Sequence, residues 1–376
     1  MFLTNNINTR ITLEKKQRII IIGPFPNPIT GLSVANLTLY EGLLNKKYMV
    51  SKLDTSYSKF EDKTGSFSFD KLFFFITISF NIKCVLNNDV IYITIGQSFF
   101  GVLKYSFYIL LGKLLSKEVI IHLHGNYLGD MHHNLSGLKK QLVKFILSKI
   151  DKAIVLSKSL KNNFTPFIDV SNIYVLTNFV SKDILLTNTE KEKLETINEP
   201  RIVFLGNLMT GKGIQYFFES LESLELEGFK FTAKCAGTMD SKKTVEYNKK
   251  IDSINSLEYL GVVRGEKKKQ LLKWSNILIC PSVMVEGLPL SILEAMATGN
   301  KIIATKQPAL QDMFNNTQIT FIKKESSFEI SEAIKKVSKH SRAQEDIIKF
   351  NMNYIEKLTT LKFIEGFISI MNIENE

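Results

Sequence analysis

The chain reads as an α/β protein of two similar domains, each built on a parallel, doubly wound sheet. Three observations predict this. Short β-branched runs recur along all 376 residues, with helix-length segments between them. The first run, Arg18-Ile-Ile-Ile-Ile22, is continuously apolar rather than alternating, as a strand covered on both faces requires. A second series restarts after Pro200 with Arg201-Ile-Val-Phe-Leu205.

In the first series, a turn-rich loop (Gly23-Pro-Phe-Pro-Asn-Pro-Ile-Thr-Gly31) follows the opening strand, and a helix is expected from about Ser33 to Leu44. Further strands are expected at Asp89–Thr94, Val119–Leu123, Ala153–Val155 and Ile173–Val175. The second series predicts a helix from about Gly213. Its strands are expected at Lys230–Ala236, Leu257–Leu260, Ile277–Cys280 and Lys301–Ala304. The polar stretch Thr187–Pro200 lies between the two series. The reading therefore assigns 1–180 to a first domain, 181–350 to a second and 351–376 to a C-terminal helix.

Composition narrows the function. Hydrophobic content of 44% and charged content of 23% suit a globular chain. Three separated cysteines form neither a disulfide framework nor a metal-binding spacing, which points to a reducing cytoplasm. The N-terminus has no charged segment followed by an apolar core, so no signal peptide is expected. Leu72–Phe80 and Phe99–Leu115 are apolar but too short or too interrupted to span a bilayer, and read as buried helices. A net charge of +11 suits anionic substrates or an anionic lipid surface. No recognition-helix or aromatic-interleaved pattern accompanies it, so nucleic acid is not expected.

The most informative segment is Pro281-Ser-Val-Met-Val-Glu-Gly-Leu-Pro-Leu-Ser-Ile-Leu-Glu294. A buried strand precedes it, and a helix from Ser291 to Ala297, ended by Gly299, follows the Gly287-Leu-Pro turn. Glu286 thus sits in a strand-to-helix loop facing the unpaired N–H groups of a helix start, which bind phosphate. A carboxylate beside a phosphate site is repulsive unless it grips neutral hydroxyls. Glu286 and Glu294 on either side of such a junction therefore suggest a sugar nucleotide.

These residues carry a resemblance. Glu286-Gly-Leu-Pro-Leu-Ser-Ile-Leu-Glu294-Ala-Met-Ala-Thr-Gly299 resembles the signature of the retaining glycosyltransferases of family 4, whose GT-B fold sets two Rossmann-like domains across a cleft. The resemblance implies that Glu286 contacts the donor sugar, that the Leu290 and Ser291 amides beyond Gly287 hold the diphosphate, and that Glu294 binds the ribose. It implies that Gly31, and with it Gly23, lets the first loop approach donor and acceptor. Leu205-Gly-Asn-Leu-Met-Thr-Gly-Lys-Gly213 resembles the family's phosphate loop; Lys212 matches its lysine, whereas Asn207 stands where arginine is usual. His124-Gly125-Asn126 matches a histidine that contacts the donor sugar, and the segment around Val262 and Arg264 reads the nucleobase, with Gly237 nearby. His122 is expected in the core or directly behind the site, His132-His133 in a loop and His340 at the surface. The last helix is expected to cross back to the first domain.

The implied activity is transfer of a sugar, with retention, from a UDP- or GDP-sugar to a glycan or polyprenyl-linked acceptor. The setting would be bacterial O-antigen or capsule synthesis at the cytoplasmic face of the inner membrane. No cofactor is expected, and the lack of any Asp-x-Asp pair argues against a metal-held diphosphate. A sugar-nucleotide epimerase of the same fold and a non-catalytic partner in a polysaccharide assembly complex are the alternatives; product analysis separates the first from a transferase, and donor binding without turnover would favour the second.

Overall fold

A computed structural model describes residues 17–27, 29–56, 82–192, 199–339 and 342–373. Among the described residues, twelve strands form two six-stranded sheets. β1 (Arg18–Gly23), β2 (Met49–Asp54), β3 (Val90–Thr94), β4 (Glu118–Leu123), β5 (Lys152–Val155) and β6 (Ile173–Val175) make the first, in the order β2-β1-β3-β4-β5-β6. β7 (Arg201–Leu205), β8 (Thr232–Ala236), β9 (Leu257–Tyr259), β10 (Ile277–Cys280), β11 (Lys301–Thr305) and β12 (Ile319–Ile322) make the second, in the order β12-β11-β10-β7-β8-β9. Every strand pair is parallel, and two Rossmann-like halves result. Ile19 to Ile22 are buried on both faces, which is why that run lacks polar alternation.

Two strands are absent from the sequence reading. β2 mixes Ser51, Lys52 and Asp54 into its short run and lies at one sheet edge, where polar residues face water. β12 is a four-residue edge strand. His132 and His133 lie in a short helix, Leu128–Asn134, and not in a loop. Of the two apolar stretches, Leu72–Phe80 and also His340 fall outside the described residues. The other forms the helix Phe99–Leu114, which buries Tyr105, Tyr108 and Ile109 but leaves Phe100, Leu103 and Leu114 exposed. Among the described residues no helix is long and apolar enough to cross a membrane.

The chain passes between the sheets twice, at neighbouring points: the Val180 N–H donates to the Leu358 carbonyl at 2.8 Å, and Val180 and Thr359 form a parallel bridge. The helix Arg342–Ile355 packs against the helix Leu290–Ala297 beside the second sheet. The last helix, Thr360–Met371, packs against Gly31–Asn45 beside the first. Phe367 meets Tyr92 of β3 edge-to-face at 5.2 Å, and Phe363 meets Phe179 at 4.7 Å. The buried Lys152 of β5 donates to the carbonyls of Met371 at 3.1 Å and Ile373 at 2.5 Å and pairs with Glu118 at 2.6 Å. That lysine satisfies carbonyls at the end of the last helix.

Candidate functional site

In an open parallel sheet, ligands bind beyond the carboxyl ends of the strands where the winding direction reverses. In the second sheet that point lies between β7 and β10. The loops leaving these two strands carry Lys212 and Glu286. The sheet order therefore brings together two residues that lie 74 positions apart.

Lys212 Nζ donates to both oxygens of Glu286, at 2.6 and 2.7 Å. Lys212 ends a single 3-10 turn, and Gly213 then takes a left-handed conformation (φ 75°) and opens the helix Ile214–Leu226. A Cβ on Gly213 would lie 2.1 Å from the Pro281 carbonyl oxygen, so only glycine lets the two loops approach this closely. Burial works against the Lys212 ammonium, but attraction to Glu286 and the hydrogen bonds to it outweigh burial and raise its pKa above the ordinary lysine value. Burial, followed by the Glu286 charge, pushes the Cys280 thiol up to about 11, so it stays protonated.

Residues that the sequence reading did not single out orient Glu286. Ser282 Oγ donates to Glu286 Oε1. The Glu286 N–H donates to Gln307 Oε1 at 3.2 Å, and Gln307 Nε2 donates to the Met284 carbonyl at 3.1 Å. Thr305 Oγ1 ties the Ser282 carbonyl to the end of β11 at 2.8 Å. Ser282, Thr305 and Gln307 are all buried. The loop is thus held on three sides, with little freedom left to the carboxylate.

The helix Leu290–Ala297 opens at Pro289, and no side chain caps its first turn. The early N–H donors therefore face the loop that holds Glu286. Glu294, one turn further along, is buried and paired with Lys268 of the helix Gly265–Trp274 at 2.5 Å. The pairing spans two helices and leaves no local trace in the sequence.

The first sheet meets this junction. A Cβ on Gly31 would lie 3.6 Å from Leu290 Cδ1, ordinary contact distance. Thr30 and Ser33 form a capping box that fixes Gly31 at the first position of its helix. A Cβ on Gly287 would lie 2.3 Å from the His124 carbonyl oxygen, so the two loops touch backbone to backbone. His124 follows β4, and its ring lies 4.1 Å from that of His122, whose Nδ1 bonds the Tyr92 hydroxyl at 2.7 Å. Burial lowers the His124 pKa to about 3, and burial with the neighbouring His124 ring takes His122 well below its ordinary value; both rings are neutral near pH 7. The buried His124 Nε2 has no hydrogen-bond partner.

The remaining residues divide in two. Asn207 and Gly237 are brought together: a Cβ on Gly237 (φ 150°) would lie 1.9 Å from the Gly206 carbonyl oxygen and 3.1 Å from the Asn207 nitrogen. Gly23 packs within the first domain. Its missing side chain makes room for Thr94 Oγ1, 2.0 Å from a Cβ there, and for Asn36. Val262 and Arg264 are exposed beyond β9, with Arg264 at the N-cap of Gly265–Trp274. Among the described residues no group of three or more His, Cys, Asp or Glu is arranged to hold a metal ion.

Comparison with known proteins agrees with this fold. Residues 199–340 match the family model described as glycosyl transferases group 1. An uncharacterized glycosyltransferase of Methanocaldococcus jannaschii is 28% identical over 176 residues, 44% of this chain and 45% of that protein. A second from the same organism is 25% identical over 248 residues, covering 60% of each chain. The chain thus spans about half the length of the curated relatives it matches. Among solved structures, Anabaena HepE in complex with UDP and glucose superposes with a TM-score of 0.71 at 12% identity, covering 95% of this chain and 100% of that one. The sucrose-phosphate synthase of Thermosynechococcus elongatus gives 0.71 at 14% identity, covering 95% and 98%. Both share the GT-B fold found here.

Proposed function

We infer that the protein is a retaining, metal-independent glycosyltransferase that moves a hexosyl group from a nucleotide-diphosphate sugar to a glycan or polyprenyl-linked acceptor. One observation carries the inference. The Lys212–Glu286 pair and the uncapped start of Leu290–Ala297 lie at the switch point of the second sheet, against Gly31 and His124 of the first. That arrangement suits a diphosphate, a sugar and an acceptor in a row.

In this reading the donor diphosphate takes the Leu290 and Ser291 amides and the Lys212 ammonium. Lys212 leaves Glu286 as it turns to the phosphate, and Glu286 accepts the sugar hydroxyls. Glu294 accepts from the ribose. The bond between the anomeric carbon and the phosphate oxygen breaks, and the acceptor oxygen bonds to that carbon on the same face. The departing phosphate oxygen receives the acceptor's proton. Lys212 meets the charge that develops on that oxygen; Asn207 supplies a donor without charge. His124, neutral and with Nε2 unpartnered, is suited to a neutral hydroxyl. Domain closure excludes water, so transfer outruns hydrolysis.

The UDP and glucose bound by HepE support a uridine donor; a GDP-sugar fits the same features. The +11 charge and the lipid-linked acceptor fit a role in bacterial O-antigen or capsule synthesis at the cytoplasmic face of the inner membrane. The test is a panel of uridine and guanosine sugar donors screened for protection against thermal unfolding. A ligand at about 100 times its Kd adds about 2.7 kcal/mol to stability. The active donor should then yield free nucleotide diphosphate and a product with the donor's anomeric configuration by NMR. Protection by none of the panel, or an isomerised sugar nucleotide as product, would overturn the assignment.

A further inference from the structure

Two helices of the first domain combine features that the transfer site leaves unused. The helix Gly137–Leu147 buries Val143, Ile146 and Leu147. Its outer face is not polar: Leu138 is 84% exposed, Leu142 41% and Phe145 52%. These three stand at helical spacing and form one stripe. The helix Phe99–Leu114 packs beside it and adds Phe100 and Leu103, both exposed. Lys139 Nζ lies 5.6 Å from the Phe99 ring centroid, so the two faces are continuous.

The two helices themselves carry lysines and no acidic residue. Residues 95–117 and 131–150 contain no Asp or Glu, in a chain with 37 acidic residues. Lys139 and Lys144 are exposed beside the stripe, and Lys149 lies 5.0 Å from the Phe145 ring. Of the neighbouring lysines, Lys113 pairs with Asp151 and Lys140 donates to the His133 carbonyl.

We propose that this face docks on an anionic lipid bilayer. Exposed Leu and Phe flanked by lysines, with no carboxylate among them, form an interfacial pattern: apolar side chains enter the acyl boundary while lysines stay at the headgroups. A second copy of the chain is a poorer occupant, because it would set lysines against lysines. The face also adjoins the transfer cleft. Gln97, two residues before the first helix, accepts from the Tyr127 N–H at 2.6 Å, and its side chain fills the space a Cβ on Gly125 would need, beside His124. Docking therefore sets the cleft mouth at headgroup level. The reach to a lipid-linked acceptor rests on the transferase reading; the surface itself rests on these helices alone.

The experiment is flotation of the full chain with two kinds of vesicle, phosphatidylcholine alone and phosphatidylcholine mixed with phosphatidylglycerol, with neither donor nor acceptor present. Binding is expected to the anionic vesicles and not to the neutral ones, and to weaken as salt rises. Lys139→Gln and Lys144→Gln should each lower partitioning by about fivefold. Leu138→Glu combined with Phe145→Glu should abolish it without moving the unfolding midpoint, since both side chains are largely in water. The proposal is overturned if wild type floats with neither vesicle, if the double glutamate variant floats as wild type does, or if light scattering shows a dimer that the same variant dissolves. Donor protection in thermal unfolding, measured on the same samples, belongs to the transferase reading and is unaffected by these outcomes.

Discussion

Lys212 and Glu286 face each other across the reversal point of the second sheet, with the ammonium bridging both carboxylate oxygens at 2.6 and 2.7 Å. Glu286 offsets the cost of partly burying the Lys212 ammonium, and raises its pKa. Lys212→Met should lower kcat by about 10²–10³, the usual loss when a group stabilising developing charge is removed. Glu286→Ala should reduce transfer at least as far while circular dichroism stays that of the wild type. Full activity in either variant would remove the residue from the mechanism.

Gly287→Ala tests the contact between the two domains. The added methyl would fall 2.3 Å from a backbone oxygen, which cannot rotate away as a side chain does. The loops must part, and a displacement of about 1 Å costs roughly 10²-fold in rate. We expect kcat/KM to fall by that order, with donor binding to the second domain largely kept. The readout is steady-state kinetics beside a donor titration by calorimetry.

Lys268→Ala separates ribose binding from chemistry. Glu294 would then be buried without its partner, and its carboxylate less firmly aimed. Donor KM should rise about tenfold with kcat little changed, the pattern of lost uniform binding. A double-mutant cycle with Glu294→Gln should show strong coupling; additive effects would mean that the pair is incidental.

Acid should unfold this protein through its paired histidines. His124 has a folded pKa of about 3 against 6.5 in an exposed state, and His122 is depressed as well, both chiefly by burial. The unfolded chain therefore binds protons that the folded one refuses. The associated stability is complete above about pH 6.5 and is lost progressively as pH falls toward 3. Thermal midpoints should drop across that window, and His124→Asn should flatten the decline. An unchanged slope in the variant would show that other groups govern it. No limb of the pH–rate profile between 5 and 8 should belong to His124.

The sequence carried the fold where packing demanded a single answer. Ile19–Ile22 and Ile277–Cys280 can only be strands covered on both faces, and both lie where the pattern puts them. The edges were less legible. β2 and β12 pair on one side only, so their composition is free to look like loop. The two glutamates announced themselves through the strand–turn–helix around them. Their partners did not. Gln307 and Lys268 lie 21 and 26 positions from the glutamates they meet, and a single sequence records nothing of who meets whom; Ser282 lies four residues from Glu286 in the same loop but has no signature of its own. Gly23 carries a packing constraint that the sequence does not announce: its missing side chain accommodates Thr94 and Asn36.

The last helix lies on the first sheet, clamped by Lys152 through the carbonyls of Met371 and Ile373. The first sheet therefore cannot finish its core until Thr360–Met371 has been made, and Tyr92, Phe179 and Leu43 wait with apolar surface uncovered. Neither half should survive as an independent fragment: cutting the chain near residue 180 strands the closing piece of one globule at the tail of the other.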